Sequence, residues 1–217
     1  MTPLTSIPAL RTLPGAAIDD IVRHSQPLRL SAGSVARHHG EPATGVVLLL
    51  AGTMVAAHTS RAGAEVWPQR WQAPALVDKV AVLAGGPAPT RLIAATSVVA
   101  MLLPRQPFLR LIDKHEVMRN HVLAALAHDV QTAQTRLTQA TTLSGVARVA
   151  ALLDALSRGG AGEWRGSQDD LARTLGLSRV TVNRALARLV RVGAVRVTTH
   201  RVVVTNRLLL RTNAADL

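Results

Sequence analysis

The chain has 217 residues, 48% hydrophobic and 18% charged, a composition that can bury a core and does not indicate disorder. It contains no cysteine, which excludes disulfides, thiol nucleophiles and metal sites held by cysteine. The net charge is +12, which favours a polyanionic partner.

Basic residues are concentrated toward the C-terminus. Residues 1–140 carry 13 basic and 8 acidic side chains, whereas residues 141–217 carry 12 and 5. Nine arginines and no acidic residue lie between Asp170 and Asp216. Because a solvated surface usually mixes both signs of charge, this stretch indicates a surface that binds nucleic acid.

Short aliphatic runs separated by glycine and proline occupy residues 28–103. Regularly spaced short strands with turn residues between them predict an antiparallel sandwich or barrel. The runs are Val46–Leu50, Met54–Ala57, Leu92–Ala95 and Val98–Leu103, and the breaks fall at Gly33, Gly40, Gly52, Gly63 and Gly85-Gly86.

Residues 108–140 contain neither glycine nor proline and predict a long helix. Its apolar residues recur at spacings of three and four, which is typical of a narrow seam between two helices. So narrow a stripe suits a second copy of itself better than a broad core, so we expect a homodimer. The alternative is a helix that packs only on its own barrel. The seam consists of Leu123, Leu126, Val130, Ala133, Leu137 and Ala140.

Residues 167–190 predict two short helices joined by a tight turn, which is the pattern of a helix-turn-helix. Ser167 is placed to cap the first helix, with Asp170 at the capping-box position, and Ser178 is placed to cap the second. Gly176 permits the turn. Residues 194–204 predict a β-hairpin, the wing. The shared core is expected from Leu171, Ala172, Leu175, Leu177, Val182, Ala185, Leu186 and Leu189.

Several arginines of the second helix fall on the side opposite its apolar residues. Such a helix fits the major groove, where arginine can donate two hydrogen bonds to guanine. Arg179 and Arg184 are the candidate base-reading residues. An adaptor that binds protein instead of DNA is the alternative, but it does not require an arginine face without acids. The other candidate DNA contacts are Val180, Thr181, Asn183, Arg188 and Arg191 on the helix, Ser167 and Ser178 at the caps, and His200 and Arg201 at the wing tip.

The segment LSRVTVNRAL at 177–186 resembles the recognition helix of the cyclic-AMP receptor protein and fumarate-nitrate reductase regulator superfamily, whose pattern is Ser-Arg-Glu-Thr-Val-x-Arg. Gly40-Glu41-Pro42 and Leu50-Ala51-Gly52 are similar to turns of the family's barrel. The resemblance covers residues 20–210. Val180 stands where the family has a base-reading glutamate, so we expect a different target sequence.

The resemblance also implies a pocket in which Gly-Glu binds the ribose of a cyclic nucleotide and an arginine binds its phosphate. Here Val77-Asp78 matches the Gly-Glu, and no arginine occurs in Pro87–Thr90, where the arginine would fall. Because burying a phosphate without a cation is costly, control by cyclic AMP is not expected. Trp67 and Trp71 are either barrel aromatics or a stacking surface for a planar ligand. The candidate effector pocket is Trp67, Trp71, Asp78, Thr90 and Arg91, although Arg91 would point to the other face of its strand.

No cofactor is predicted, but the eight histidines leave haem as the alternative. His121 and His128 share one helix face, two turns apart, which is too wide for one metal within a chain but could be bridged across a dimer. His38 and His39 are adjacent and would point to opposite faces of a strand. No catalytic triad, Walker loop or HExxH motif occurs, so an enzyme is not expected.

The sequence therefore predicts an α+β chain with a cyclic-nucleotide-binding-type antiparallel β-barrel as the effector-type domain over 1–106, a dimerisation helix over 107–140 and a winged helix-turn-helix DNA-binding domain over 141–217. The expected function is transcription regulation by a homodimer on a palindromic site in double-stranded DNA, without control by cyclic AMP. The alternative is a haem-dependent gas-sensing regulator of the same superfamily. RNA polymerase is an expected partner if the protein activates transcription. No apolar run of bilayer length and no signal-peptide pattern occurs, so we expect a cytoplasmic protein that does not contact membranes.

Overall fold

The computed structural model describes residues 3–60, 63–159 and 162–214. The chain divides into two compact units: the first contains Trp67–Val130 and the described residues up to Gly63, and the second contains Ala64–Val66 and the described residues from Gln131 onward. None of the described helices is both long and apolar enough to span a bilayer.

In the described residues, eight strands that lie wholly or mostly in the first unit form two four-stranded antiparallel sheets, ordered β1-β8-β3-β6 and β2-β7-β4-β5. The helices of this unit include α1, which precedes the strands, α2, which lies between β6 and β7, and α3, which follows β8. The bounds are α1 Gly15–His24, β1 Gln26–Leu30, β2 Val35–Arg37, β3 Gly45–Ala51, β4 Thr53–Thr59, β5 Glu65–Gln72, β6 Ala75–Val77, α2 Lys79–Ala84, β7 Arg91–Ala94, β8 Val98–Pro104 and α3 Arg105–Lys114, with 3-10 turns at Pro3–Ser6 and Pro8–Leu10.

The β3 strand is buried on both faces, which explains its unbroken aliphatic run. Val47 and Leu49 pack in one buried cluster with residues of β4, β7 and β8, and so join the two sheets. Val46 and Leu48 pack in a second cluster with Phe108 of α3. The four strands predicted from the sequence are confirmed, and they belong to two separate sheets packed as a sandwich instead of one closed barrel.

Gly52 is the only residue between β3 and β4, and it carries the chain from one sheet to the other. Its φ is +93°, and a Cβ at this position would overlap the carbonyl oxygen of Ser97. Only glycine combines this backbone with so close an approach. The sequence-predicted break at Gly52 is therefore confirmed.

Two helices occupy the segment for which the sequence predicts one helix over 107–140. They are α3 and α4 Glu116–Thr142, and His115 between them has an extended backbone with φ −120° and ψ 105°. At 27 residues, α4 is about 40 Å long. Its first turns bury Met118 and Val122 in the core of the first unit.

The described part of the second unit contains the end of α4, four further helices and a three-stranded antiparallel sheet ordered β10-β11-β9. The predicted hairpin is confirmed as β10 and β11, whereas β9 was not predicted. The predicted apolar residues are buried or half-buried in one cluster, together with Trp164 of β9. The bounds are α5 Gly145–Arg158, β9 Glu163–Arg165, α6 Gln168–Leu175, α7 Arg179–Arg191, β10 Val195–Thr198, β11 Arg201–Val204 and α8 Arg207–Ala214.

Candidate nucleic-acid interface

Two serines begin the helices of the helix-turn-helix, as the sequence predicts. The Ser167 backbone N–H donates to Asp170 Oδ2 at 2.8 Å, and the Asp170 N–H donates to Ser167 Oγ at 3.1 Å, which completes the capping box. Ser178 Oγ accepts from the Thr181 N–H at 3.1 Å and lies 2.8 Å from Thr181 Oγ1. These bonds satisfy N–H groups that a helix start otherwise leaves open.

The turn between α6 and α7 is closed by backbone bonds. Gly176 adopts the left-handed region with φ +60° at the end of α6, and the Leu177 N–H donates to the Ala172 carbonyl at 3.0 Å. The Arg148 side chain on α5 donates to the Leu175 carbonyl, one of the last of α6. Arg148 therefore holds α5 against the turn, a contact that sequence spacing did not reveal.

The α7 helix separates a buried face from a charged exposed face. Val182, Ala185, Leu186 and Leu189 are buried. Val180 is 57% exposed, although it is apolar. Thr181 is half-buried, and the other candidate DNA contacts of α7 are exposed, namely Arg179, Asn183, Arg184, Arg188 and Arg191.

The stretch between Asp170 and Asp216 contains no acidic residue, but the fold brings an acidic residue from outside it, Asp154, next to two of its arginines. Asp154 of α5 accepts hydrogen bonds from Arg207 at 2.8 Å and Arg211 at 3.3 Å, and also pairs with Arg158. Five other arginines have no acidic partner among the described residues. They are Arg179, Arg184, Arg188 and Arg191 on α7 and Arg196 on β10.

Electrostatics around Asp154 favour its charged form. Burial alone would raise the pKa of this carboxyl. The hydrogen bond from Arg207 and the positive charges of Arg158, Arg207 and Arg211 outweigh burial, so the pKa lies below its ordinary value. Asp154 thus fixes α8 to α5 with a charged group.

The wing sheet places Arg165, which the sequence did not predict as a DNA contact, beside Arg201, which it did. His200 and Arg201 are exposed at the β10–β11 turn, as expected. Arg165 of β9 is paired directly opposite Arg201 across the sheet. Glu163 pairs with both guanidinium groups and so offsets the repulsion of two like charges at facing positions. Arg165 was missed from the sequence because β9 has only three residues.

A buried ion pair occupies the candidate effector region of the first unit. Arg37 of β2 donates to both carboxylate oxygens of Asp78 at 3.1 Å, and to the Thr90 carbonyl at 2.8 Å. Both charged side chains are buried. Burial raises the pKa of Asp78, and the hydrogen bond and charge of Arg37 oppose that rise. No sequence motif pointed to Arg37, which lies 41 residues away along the chain.

The remaining candidate pocket residues do not form one platform. Trp67 packs with Val55 and Ala57 in one apolar cluster, whereas Trp71 packs against a different one. Arg91 donates to Thr59 Oγ1 at 2.9 Å. A ligand stacked between the two tryptophans therefore has no support in this arrangement.

Histidines of α4 are not part of a metal-type cluster. Among the described residues, no group of three or more His, Asp or Glu side chains is arranged to hold a metal ion. Burial and, secondarily, the positive charge of Lys79 lower the pKa of His121, and His128 is exposed. Lys79 itself pairs with Asp129 of α4 at 3.0 Å. The haem alternative stays an untested prediction.

A helix-turn-helix with a wing, preceded by a jelly-roll-like sandwich and a long helix, defines a class of DNA-binding transcription regulators. The sequence model of the cyclic nucleotide-binding domain family matches residues 27–115, and the model of the Crp-like helix-turn-helix domain family matches residues 147–212. The chain belongs to the Crp/Fnr family of transcription regulators. A comparison with curated proteins finds no match.

Solved structures of this family share the fold. FixK2 from Bradyrhizobium japonicum is 18% identical, with 89% of this chain and 98% of that chain covered and a TM-score of 0.77. A CooA mutant from Carboxydothermus hydrogenoformans is 13% identical, with 97% and 95% covered and a TM-score of 0.78. A CRP/FNR-family regulator from Thermus thermophilus is 20% identical, with 88% and 99% covered and a TM-score of 0.67.

Proposed function

We propose that the protein is a homodimeric regulator that reads a two-fold symmetric DNA site through α7 and does so without cyclic AMP. The observation that carries this proposal is the row of exposed arginines on α7 that have no acidic partner among the described residues. Arginine without an internal acid is free to bind phosphate or the acceptor edge of guanine.

The division of labour follows from the position of each residue on α7. The N-terminal residues of a recognition helix meet base edges. Arg179, Val180 and Arg184 lie in the N-terminal half of α7 and are assigned to the bases. Arg188 and Arg191 lie toward the other end and are assigned to phosphates, with His200 and Arg201 of the wing. Ser167 and Ser178 act through their caps, since their hydroxyls already accept helix N–H groups.

Dimerisation through α4 is supported by its exposed apolar residues. Leu123, Val130 and Leu137 recur at heptad spacing and are 57%, 57% and 69% exposed in the single chain. Leu126 is half-buried, and Ala133 and Ala140 are exposed. A second copy of the helix would cover this seam in the manner of a coiled coil, and it would place two recognition helices on one DNA site.

Independence of cyclic AMP is supported by the pair of Arg37 and Asp78. Asp78 occupies the position that resembles the family's ribose-binding glutamate, but both of its oxygens accept hydrogen bonds from Arg37. A ribose would have to displace a buried bidentate ion pair, which leaves a charge without its partner.

Selection from a random duplex library by the purified full chain tests the proposal. We expect enrichment of a two-fold symmetric site that is the same with and without cyclic AMP. The Arg184→Ala variant should lose preference at one position of each half-site by about 5- to 150-fold, while Arg110→Ala on α3, which is exposed, should not. No enriched sequence, or enrichment only with cyclic AMP, would contradict the proposal.

A further inference from the structure

The first turn of α5 touches the first turn of α7. A Cβ built on Gly145 would lie 2.5 Å from Thr181 Cγ2, well inside the separation of about 3.5 to 4.0 Å that two carbon atoms prefer. The next nearest atom is Thr181 Cβ, at 4.0 Å. The bare α-carbon of Gly145 is therefore in contact with a single methyl group of the recognition helix.

That methyl group has no easy way to move aside. Threonine is branched at Cβ, so its side chain has few accessible rotamers. Thr181 Oγ1 lies 2.8 Å from Ser178 Oγ, and Ser178 Oγ also accepts the Thr181 N–H at 3.1 Å. Rotation that removes the methyl from Gly145 would break the bond between the two hydroxyls. Added bulk at residue 145 must therefore change how closely the first turns of α5 and α7 pack.

Helix propensity does not explain why residue 145 is a glycine. Gly145 is the first residue of α5, and no left-handed backbone is present there that would require glycine. Alanine is favoured over glycine in a helix. Local preference thus favours alanine at this position, whereas the contact with Thr181 disfavours it.

We propose that Gly145 is a positioning residue for DNA recognition: its missing side chain sets how closely the start of α7 sits on α5. This inference rests on the proposed DNA-binding function. Hydrogen bonds to base edges tolerate only a few tenths of an ångström, so a shift of about 1 Å at Arg179 disrupts those that its side chain makes. Contacts to phosphates are long-range and tolerate such a shift.

The test is a mutant cycle in the full chain with Gly145→Ala, Thr181→Ser and both together. Serine keeps the hydroxyl and the cap but lacks the methyl, so alanine then meets only the Cβ at 4.0 Å. Gly159→Ala is the matched control, since it lies at the other end of α5, where a Cβ would make ordinary contacts at 3.6 Å. Affinity is measured for the selected site and for a scrambled duplex, together with Tm.

We expect Gly145→Ala to weaken binding to the selected site by at least about tenfold and to the scrambled duplex by less than about twofold. In the Thr181→Ser background, Gly145→Ala should change the affinity for either duplex by no more than about twofold. Unfolding would weaken binding to both duplexes equally. The ratio of the affinity for the selected site to the affinity for the scrambled duplex therefore separates an effect on positioning from an effect on stability. Gly159→Ala should bind like the wild type.

Three results would overturn the inference: Gly145→Ala binding the selected site like the wild type, a folded Gly145→Ala variant losing affinity equally for both duplexes, or Gly145→Ala causing the same loss in the Thr181→Ser background. If Gly145→Ala does not fold, the serine background decides, since the double variant must fold and bind like Thr181→Ser alone. A wild type without sequence preference would instead contradict the proposed function, and this role with it.

Discussion

Asp154 is a buried carboxylate that forms ion pairs with three arginines of the second unit. Arg207 and Arg211 of α8 donate hydrogen bonds to this carboxylate, whereas the exposed arginines of α7 have no acidic partner among the described residues. One acid on α5 therefore divides the basic residues into a structural group and a group free to bind a polyanion.

Replacing Asp154 by asparagine should destabilise the second unit in a pH-dependent way. Because the pKa of Asp154 is lowered on folding, its pairing stabilises the fold above the unfolded pKa of about 4 and is lost as pH falls through the lower folded value. At pH 7 we expect a loss of about 1.5 to 3 kcal/mol in the free energy of unfolding, which narrows below about pH 4.

Urea unfolding followed by Trp164 fluorescence, with Trp67 and Trp71 replaced by phenylalanine, measures this difference. Asp169→Asn is the control, because its pair with Arg173 is exposed and should be worth less than about 1 kcal/mol. A destabilisation of Asp154→Asn that is constant from pH 7 to pH 3 would contradict the assignment.

Val180 is an exposed apolar residue at the start of the recognition helix. If it meets a base edge, its partner is an apolar group such as the thymine methyl. Val180→Glu should therefore shift the selected base at one position of each half-site toward cytosine, whose amino group donates to a carboxylate, with a discrimination of about 1 to 3 kcal/mol. Val192→Glu, which is exposed just beyond the end of α7, is the control and should leave the selected sequence unchanged.

At the scale of elements, local signals were enough for the helix-turn-helix but not for the pairs that join distant segments. Capping serines, Gly176 and the apolar spacing act within a few residues, so the sequence predicts α6, the turn and α7 correctly. Arg37 and Asp78, or Gly145 and Thr181, meet only because sheets and helices pack, and neither pair has a motif. The short strands β1, β2, β6 and β9 likewise depend on their neighbours for hydrogen bonds.

The pair of Arg37 and Asp78 should be strongly coupled in stability. Arg37→Met leaves the Asp78 charge buried without a partner, and we expect a loss of about 3 to 5 kcal/mol in the free energy of unfolding of the first unit. Arg37→Met combined with Asp78→Asn should be less destabilised than the sum of the single variants by about 1 to 3 kcal/mol.

Denaturant unfolding of the full chain at neutral pH checks this coupling, with Arg110→Met as an exposed control that should change stability by less than about 0.5 kcal/mol. Additive losses would show that the two side chains act independently and would weaken the case that this pair blocks a ribose.

At the scale of the whole molecule, the apolar seam of α4 stays exposed to solvent in a single chain. Leu137→Glu should place a charge in the proposed dimer interface and convert the protein to monomers at micromolar concentration, because a buried unpaired carboxylate is costly. Thr135→Glu is the matched control, since Thr135 lies about 160° away around the helix. Sedimentation velocity measures both, and a dimeric Leu137→Glu would contradict the seam.

The most direct test of the central claim compares a selected two-fold symmetric site with the same duplex in which one half-site is scrambled, by titration with the full chain and measurement of the mass of the complex. The account predicts two chains on the symmetric site, a loss of affinity of about a hundredfold or more on scrambling one half, and no change on adding cyclic AMP. A single chain on the site, or equal affinity for the two duplexes, would contradict it.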